Sequence, residues 1–196
     1  MKQKLCKKAV VFFLVVIGFL IFMIPFHASA ASGGKIYTAY NIWFEKADRI
    51  WSINYKKGAV IPAGTLVRDV KILTTNRRHQ AITFTTVKEK RDFTIFWIKK
   101  YHPGKTAQQF KNNMFTSKTF EELTSDMSKE EIAAIKKGKI VMRMSKKAVL
   151  ACYGPPPEHA TFSQEHNVWD YWKSKFVRMR IFFSDSDRVS GYKIGM

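Results

Sequence analysis

The sequence predicts an α+β protein, in which a small all-β barrel is followed by a module of two helices and a three-stranded antiparallel meander. Two patterns support this prediction. Through residues 35–100, short segments rich in aromatic and β-branched residues alternate with turn residues, as in small barrels. Through residues 117–196, two capped helical segments precede three strands, an order in which helices cover one face of a sheet.

The first thirty residues have the pattern of an export signal. Four lysines precede an apolar run over residues 9–26, and Ala28-Ser29-Ala30 follows it. A basic start, an apolar centre and an A-x-A exit predict a secretory signal peptide that is cleaved before Ala31. The run is also close to the length of a membrane-spanning helix, so a retained N-terminal anchor is the alternative. Both interpretations export the remaining chain, to the periplasm or to a membrane-associated position in the cell envelope.

The chain is strongly basic, with a formal net charge of +19. Such a surface attracts anionic partners, and export argues against nucleic acid as one of them. The charge is uneven: residues 31–116 hold 16 Lys and Arg against 5 Asp and Glu, whereas residues 117–196 hold 14 against 10. The basic surface is therefore expected mainly on the first module.

Residues 35–100 should form the all-β module. Strands are predicted at 35–44, 49–55, 66–74, 81–87 and 93–99, and the last two flank a charged hairpin connection. Because its basic side chains fall largely in turns, we predict an anion-binding patch at one end of the barrel, with ordinary solvated surface charge as the alternative. The patch comprises Lys56, Lys57, Arg77, Arg78, Lys88, Lys90 and Arg91. The segment GAVIPAGTLV resembles strand entries of bacterial Src-homology-three-like barrels, which implies binding of cell-wall peptides or partner proteins.

Residues 101–116 begin with the chain breaker His102-Pro103-Gly104 and are predicted to be a linker. Beyond it, Ser128 and Glu131 form a capping box that starts a helix running to about Lys137. Ser145 caps a second helix that ends at Cys152, and Gly154 followed by three prolines prevents its continuation. Strands are then expected at 168–172, 176–183 and 188–194.

The last 70 residues or so resemble the BamE family of small envelope proteins, also called SmpA/OmlA. The matching positions are Gly138, Met144, Ser145, Val149, Gly154, Pro156, Trp169, Tyr171 and Phe182. The resemblance implies a non-enzymatic accessory factor in outer-membrane protein assembly that contacts partner subunits of the β-barrel assembly machinery and anionic lipid. Two departures stand out: Arg143 lies where the family has glycine, and no cysteine follows the signal segment for lipidation.

Three aromatic residues, Trp169, Tyr171 and Trp172, are the candidates for partner binding. Strand alternation places Trp169 and Tyr171 on one face and Trp172 on the other, so at least one should lie outside the core. The alternative is that all three pack internally, which is the usual fate of aromatic residues.

Nothing in the sequence favours an enzyme. It has no nucleophile elbow, phosphate loop or cysteine–histidine pair, so we predict no catalytic residues and no cofactor. His159 and His166, each next to a glutamate, do not match an established zinc spacing, and no metal site is predicted. Cys152 is expected to be a buried, inert thiol.

The predicted function is non-catalytic binding of envelope proteins. The alternative is peripheral binding of anionic lipid or cell-wall glycan through the basic barrel.

Overall fold

The computed structural model describes residues 34–76 and 79–195, and the chain from Gly34 onward forms one compact unit. The predicted signal peptide or anchor at residues 1–30 lies outside the described residues, as do Arg77 and Arg78. Within the described ranges, no helix has both the length and the apolar character needed to cross a membrane.

A curled six-stranded sheet, shaped as a half-barrel, occupies the N-terminal part. Its strands follow the order β3-β7-β6-β5-β1-β8, and a separate pair joins β2 to β4. The strands are β1 (Ile36–Thr38), β2 (Ile42–Phe44), β3 (Ile50–Trp51), β4 (Ala59–Ile61), β5 (Leu66–Asn76), β6 (His79–Thr86), β7 (Asp92–Trp97) and β8 (Phe115–Thr116). All neighbours pair antiparallel except β3 and β7.

Local sequence placed most of these strands correctly, but β4 was not predicted and the strand expected at 49–55 is reduced to β3. Two further regions differ. The single strand predicted at 35–44 is divided into β1 and β2, because Tyr40 and Asn41 turn inward and are buried. Residues 101–116, expected to be a linker, follow a 3₁₀ turn at Lys99–Tyr101 and form the helix α1 (Ala107–Met114) and strand β8, which pairs with β1. Phe110 and Met114 on this helix pack into the core of the curled sheet.

Three further helices follow: α2 (Phe120–Leu123), α3 (Lys129–Lys136) and α4 (Lys146–Tyr153). The predicted capping box is confirmed, since the Ser128 hydroxyl accepts from the Glu131 amide and Glu131 accepts from the Ser128 amide. Glu131 does more than cap, because its Oε1 also accepts from the Ser145 amide at 2.7 Å and from Arg188 at 3.1 Å. One carboxylate thus joins the starts of both helices to the last strand.

The predicted meander is confirmed as a three-stranded antiparallel sheet in the order β11-β10-β9. Its strands are β9 (Val168–Ser174), β10 (Val177–Phe183) and β11 (Val189–Ile194). The first turn lies one residue later than expected, at Lys175 and Phe176. Helices α3 and α4 pack on one face of this sheet around Ile135, Val149 and Ile181, so the α+β architecture is confirmed.

The N-terminal strands and the C-terminal helices and meander share side chains across the predicted boundary between modules. Trp43 of β2 belongs to the core beneath the meander, where its ring lies 5.2 Å from that of Tyr153. Asn41, which is buried, donates to the carbonyl of Ile135 at 2.8 Å and accepts from the amide of Ala63 at 2.8 Å. Side chains of the first strands therefore complete the core that α3 and α4 form with the meander.

Candidate functional site

Lys56 lies inside the protein and is not part of an anion-binding surface, which corrects the prediction for this residue. Its ammonium donates to the carbonyl of Tyr153 at 2.6 Å. It also lies over the rings of Trp43, Tyr153 and Tyr171, at 4.7, 5.2 and 5.3 Å from their centroids. Burial lowers the pKa of Lys56 well below its ordinary value, whereas the ring faces and the carbonyl favour the cation. Lys56 thus links the N-terminal strands to α4 and β9.

Two of the three predicted partner-binding aromatics, Trp169 and Tyr171, are core residues, each about 1% exposed. Trp169 donates from its indole to the carbonyl of Gln164 at 3.2 Å, and the Tyr171 hydroxyl donates to the carbonyl of Gly154 at 2.9 Å. Neither can present a surface to a partner, so the prediction is wrong for this pair. The predicted alternation of faces along the strand is confirmed, because Trp172 lies on the other face and is only partly buried.

Trp172 is partly covered by its own neighbours. Its ring stacks on the imidazole of His159 with centroids 4.9 Å apart, and the guanidinium of Arg178 lies 5.2 Å from its centroid. The His159 ring in turn hydrogen-bonds the carbonyl of Tyr101 at 3.2 Å. Among residues 34–76 and 79–195, no group of three or more His, Cys, Asp and Glu is arranged to hold a metal ion.

Ser52, His102 and Glu158 form an arrangement that the sequence did not indicate. His102 Nε2 lies 3.0 Å from Ser52 Oγ, and His102 Nδ1 lies 2.6 Å from Glu158 Oε2. Glu158 also accepts from Lys105. Burial acts to raise the pKa of Glu158, but hydrogen bonds from His102 and Lys105 outweigh it and lower that pKa to about 2. The order hydroxyl, imidazole, carboxylate is that of a nucleophilic triad.

Ser52 is too buried for a substrate to reach it, which argues against nucleophilic catalysis at this serine. Ser52 and His102 are 4% and 3% exposed, and the adjoining cavity offers only about 10 Å³, roughly the space of one water molecule. Ser52 Oγ already accepts from the amide of Ile98 at 3.1 Å. The arrangement therefore holds the segments carrying Ser52, His102 and Glu158 together and leaves no space for a substrate.

A large open cavity forms a groove between the N-terminal strands and the β9–β10 hairpin. Two adjoining spaces of about 840 and 280 Å³ share Glu45, Trp51, Tyr55 and Lys57 as lining. The lining also includes Phe44, Lys46, Arg49, Lys100, Tyr101, Lys175 and Phe176. We call this cavity the cationic groove.

The charge of the cationic groove is predominantly positive. Five cationic side chains line it, namely Lys46, Arg49, Lys57, Lys100 and Lys175. The single carboxylate in the lining, Glu45, is already paired with Lys57 at 2.8 Å. A concave surface with this excess of cations concentrates field lines and attracts anions.

Exposed aromatic rings border the same groove. Phe176, at the turn between β9 and β10, is 82% exposed, and Trp51 is 41% exposed. Burial together with neighbouring Tyr101 raises the pKa of Tyr55 to about 12, so its hydroxyl stays neutral at physiological pH. The groove therefore combines cations with apolar rings, a mixture suited to ligands that present both a negative charge and an apolar part.

The remaining predicted anion-binding residues divide into three groups, one of which, Arg77 and Arg78, lies outside the described residues. Lys57 lines the groove, whereas Lys88, Lys90 and Arg91 are exposed around the turn between β6 and β7. Arg91 stacks over Phe44, which lines the smaller space of the groove, at 5.0 Å. The other four cations of the groove, Lys46, Arg49, Lys100 and Lys175, were missed, because only folding brings their segments together. Phe176, an apolar residue exposed in the turn between β9 and β10, was the one feature of the local sequence that pointed to this groove.

Cys152 is buried, as predicted, and its thiol donates to the carbonyl of Lys139 at 3.5 Å. Burial raises its pKa to about 12.

Comparison of the chain with protein-family models, with curated proteins and with solved structures finds no match.

Proposed function

We propose that this chain is an exported, non-catalytic binding protein of the cell envelope that attaches to an anionic lipid surface through its cationic groove. The observation that carries the proposal is the combination of five cations, one neutralised carboxylate and the protruding Phe176 at one cavity. The apolar N-terminal run supports an envelope location, as a cleaved signal or as an anchor.

The energetics fit a peripheral attachment. Each lysine or arginine near an anionic leaflet contributes about 1 kcal/mol, and aromatic rings favour the boundary between headgroups and acyl chains. Lys175 lies over the ring of Phe176 with its ammonium 5.2 Å from the centroid. This pair places a cation beside an exposed ring, so the charge can meet a headgroup while the ring enters the apolar layer.

Charge reversal in the groove tests the proposal. The double substitution Lys100→Glu and Lys175→Glu should reduce binding to vesicles containing phosphatidylglycerol by at least about a hundredfold, measured by co-sedimentation, since it reverses two cations. The matched control reverses Lys118 and Lys129, which are exposed but do not line the groove. Both variants keep the same N-terminal segment, so the lipid affinity of that segment is equal in the two and does not affect their comparison. Equal losses in the two variants would show that only net charge matters and would refute a groove-specific site.

A second candidate function rests on the resemblance to the BamE family, in which members assist outer-membrane protein assembly. A helix pair followed by a meander is the architecture that the resemblance implies, and the matching positions Met144 and Val149 are fully buried. The matching Gly154 has the positive φ of 76° that glycine adopts readily. These features support a BamE-like fold for the C-terminal part.

Affinity purification of the tagged full chain from detergent-solubilised envelopes tests this second candidate. Recovery of identified subunits of the β-barrel assembly machinery, reduced by Trp172→Ala, would support it and place the partner near the exposed side of Trp172. Their absence, with vesicle binding retained, would leave the lipid-binding proposal alone.

A further inference from the structure

The three-stranded sheet has two edge strands, and other parts of the chain cover one of them. Along β9, the carbonyl of Trp172 accepts from the Lys56 amide at 3.0 Å. The amide of Asp170 donates to the Thr161 hydroxyl at 2.8 Å. These two bonds occupy the outer edge of β9, so a further strand cannot pair there.

The edge of β11 is covered only at its beginning. The carbonyl of Val189 accepts from the Arg143 amide, and the amide of Val189 donates to the Met144 carbonyl, both at 2.8 Å. From Ser190 to Ile194, β10 is the only strand of the described structure that pairs with β11. A five-residue stretch of sheet edge is therefore open to a partner backbone.

Apolar side chains flank this open stretch on the core side of the sheet. Tyr192 lies opposite the buried Ile181, and Ile194 lies opposite the buried Met179. Yet Tyr192 and Ile194 are 50% and 47% exposed. The core face therefore extends past the helices that cover it, and an added strand with apolar residues at alternate positions would complete it.

The other face of the edge carries a positive charge. Lys193 lies opposite Arg180, whose guanidinium is held by Asp170 through two hydrogen bonds of 2.8 Å. Lys193 has no ion-pair partner among the described residues. A carboxylate on the neighbouring strand would thus lie across from an uncompensated cation.

We propose that the outer edge of β11 accepts an extended segment of another protein as a fourth strand, with apolar residues facing Tyr192 and Ile194 and an acidic residue facing Lys193. A second copy of this chain fits less well, since each copy brings a formal charge of +19 and a lysine at the centre of the edge. This interaction is independent of the cationic groove, because it uses backbone pairing on a different strand.

The other long open edge, on β5, is interrupted in its middle, whereas the register shift of β11 lies at Ser190, next to the covered beginning of that strand. Beyond Leu66 and Val67 it has no partner from β1, but Asp69 adopts a positive φ of 56° where the register with β6 shifts. Such a bulge twists the middle of the β5 edge away from added strands. Both edges carry a lysine, Lys71 on β5 and Lys193 on β11. The β5 edge supplies matched control positions.

A strand-forming peptide tests the proposal with the full-length chain in a neutral detergent. The probe is a capped heptapeptide that alternates valine with glutamate, and its counterpart alternates valine with lysine. The glutamate peptide should bind at least tenfold more tightly and should slow amide hydrogen exchange at residues 190–194. N-methylation of one alternate set of peptide amides should abolish binding, whereas methylation of the other set should not, because only one peptide edge pairs with β11.

Variants then locate the contact. Lys193→Glu should reverse the preference between the two peptides, and the pair Tyr192→Ser with Ile194→Ser should weaken binding about tenfold. The matched changes on the β5 edge, Lys71→Glu and Leu73→Ser, should leave both values unchanged. The proposal is overturned by equal effects at the two edges, by equal binding of both N-methylated peptides or by unchanged exchange at residues 190–194. A peptide-free dimer in sedimentation that Ile194→Asp dissociates would also overturn it, in favour of self-association.

Discussion

The ammonium of Lys56 and the carbonyl of Tyr153 are joined by a 2.6 Å hydrogen bond across 97 residues of sequence. Three aromatic rings surround the same ammonium, so a lysine that sequence places in a turn acts inside the protein. The consequence is a buried site that should tolerate a neutral side chain of the same volume but not a negative charge.

Replacing Lys56 should reveal this dependence. Lys56→Met keeps the volume and removes a buried charge, and Asn54 still donates to the Tyr153 carbonyl at 3.3 Å. We expect the free energy of unfolding to change by less than about 1.5 kcal/mol. Lys56→Glu places a carboxylate against that carbonyl and should cost about 3–5 kcal/mol. Urea unfolding measures both. The same substitutions at exposed Lys57 should differ little from each other, and a large difference there would mean that general charge is responsible.

Glu158 should make stability depend on pH in the acid range. Its folded-state pKa of about 2 lies below the ordinary value of 4.5, so the unfolded state binds more protons between these values. The contribution of Glu158 is therefore complete above about pH 5 and is lost as pH falls toward 2. Glu158→Gln should unfold about 2 kcal/mol more easily at pH 7, and the difference should shrink at low pH. Exposed Glu165→Gln, on the same loop, should show no such convergence.

Gly154 meets both a backbone and a side-chain constraint. Its φ is +76°, and a Cβ would lie 2.7 Å from the ring of Tyr40. Gly104 has a similar φ of +79° with nothing near its Cβ position. Gly104→Ala should therefore cost about 1 kcal/mol, from backbone strain alone, and Gly154→Ala about 3 kcal/mol or more. Thermal unfolding compares them, and equal losses would show that the Tyr40 ring moves aside freely.

Phe176 should contribute to lipid attachment in a way that a second exposed phenylalanine does not. Phe176→Ala removes the ring beside the groove and should weaken vesicle binding about tenfold, consistent with partial burial of an aromatic side chain. Phe162, which is 90% exposed but does not line the groove, is the matched control. Co-sedimentation with phosphatidylglycerol vesicles measures both variants. A comparable loss for Phe162→Ala would point to nonspecific hydrophobic adsorption.

Cys152 should be unreactive in the folded protein. Its burial and its pKa of about 12 leave almost no accessible thiolate at neutral pH. In a Cys6→Ser background, Cys152 should react with an aromatic disulfide reagent only at the rate of unfolding. Labelling that is rapid in buffer and unaffected by denaturant would contradict this prediction.

Local sequence signals predicted the elements whose causes are local. Ser128 with Glu131, Ser145 and the stop after Tyr153 marked both long helices, and the alternation around Arg178 and Arg180 marked β10. The helix α1 was underestimated, although Thr106 and Gln109 form a capping box that was visible in the sequence.

The features that the sequence did not predict depend on contacts between distant segments of the chain. Lys56 and Lys57 are adjacent and chemically identical, yet only Lys56 is buried, because Trp43 and α4 meet over it. The His102–Glu158 pair spans 56 residues, and no spacing motif links its members. The curled sheet was expected as a separate barrel because hydrophobic patterning reports which residues are buried but does not show which partner buries them.

The insertion of Asn41 and Trp43 beneath the meander also fixes the order of events during synthesis. Asn41 emerges from the ribosome 94 residues before Ile135, the residue whose carbonyl it binds, and until then its pocket does not exist. A contact that spans so many residues closes only after the segment between its two ends has been made. In the proposed export, whose channel accepts only unfolded chains, this late closure would keep the polypeptide unfolded until most of it has been made.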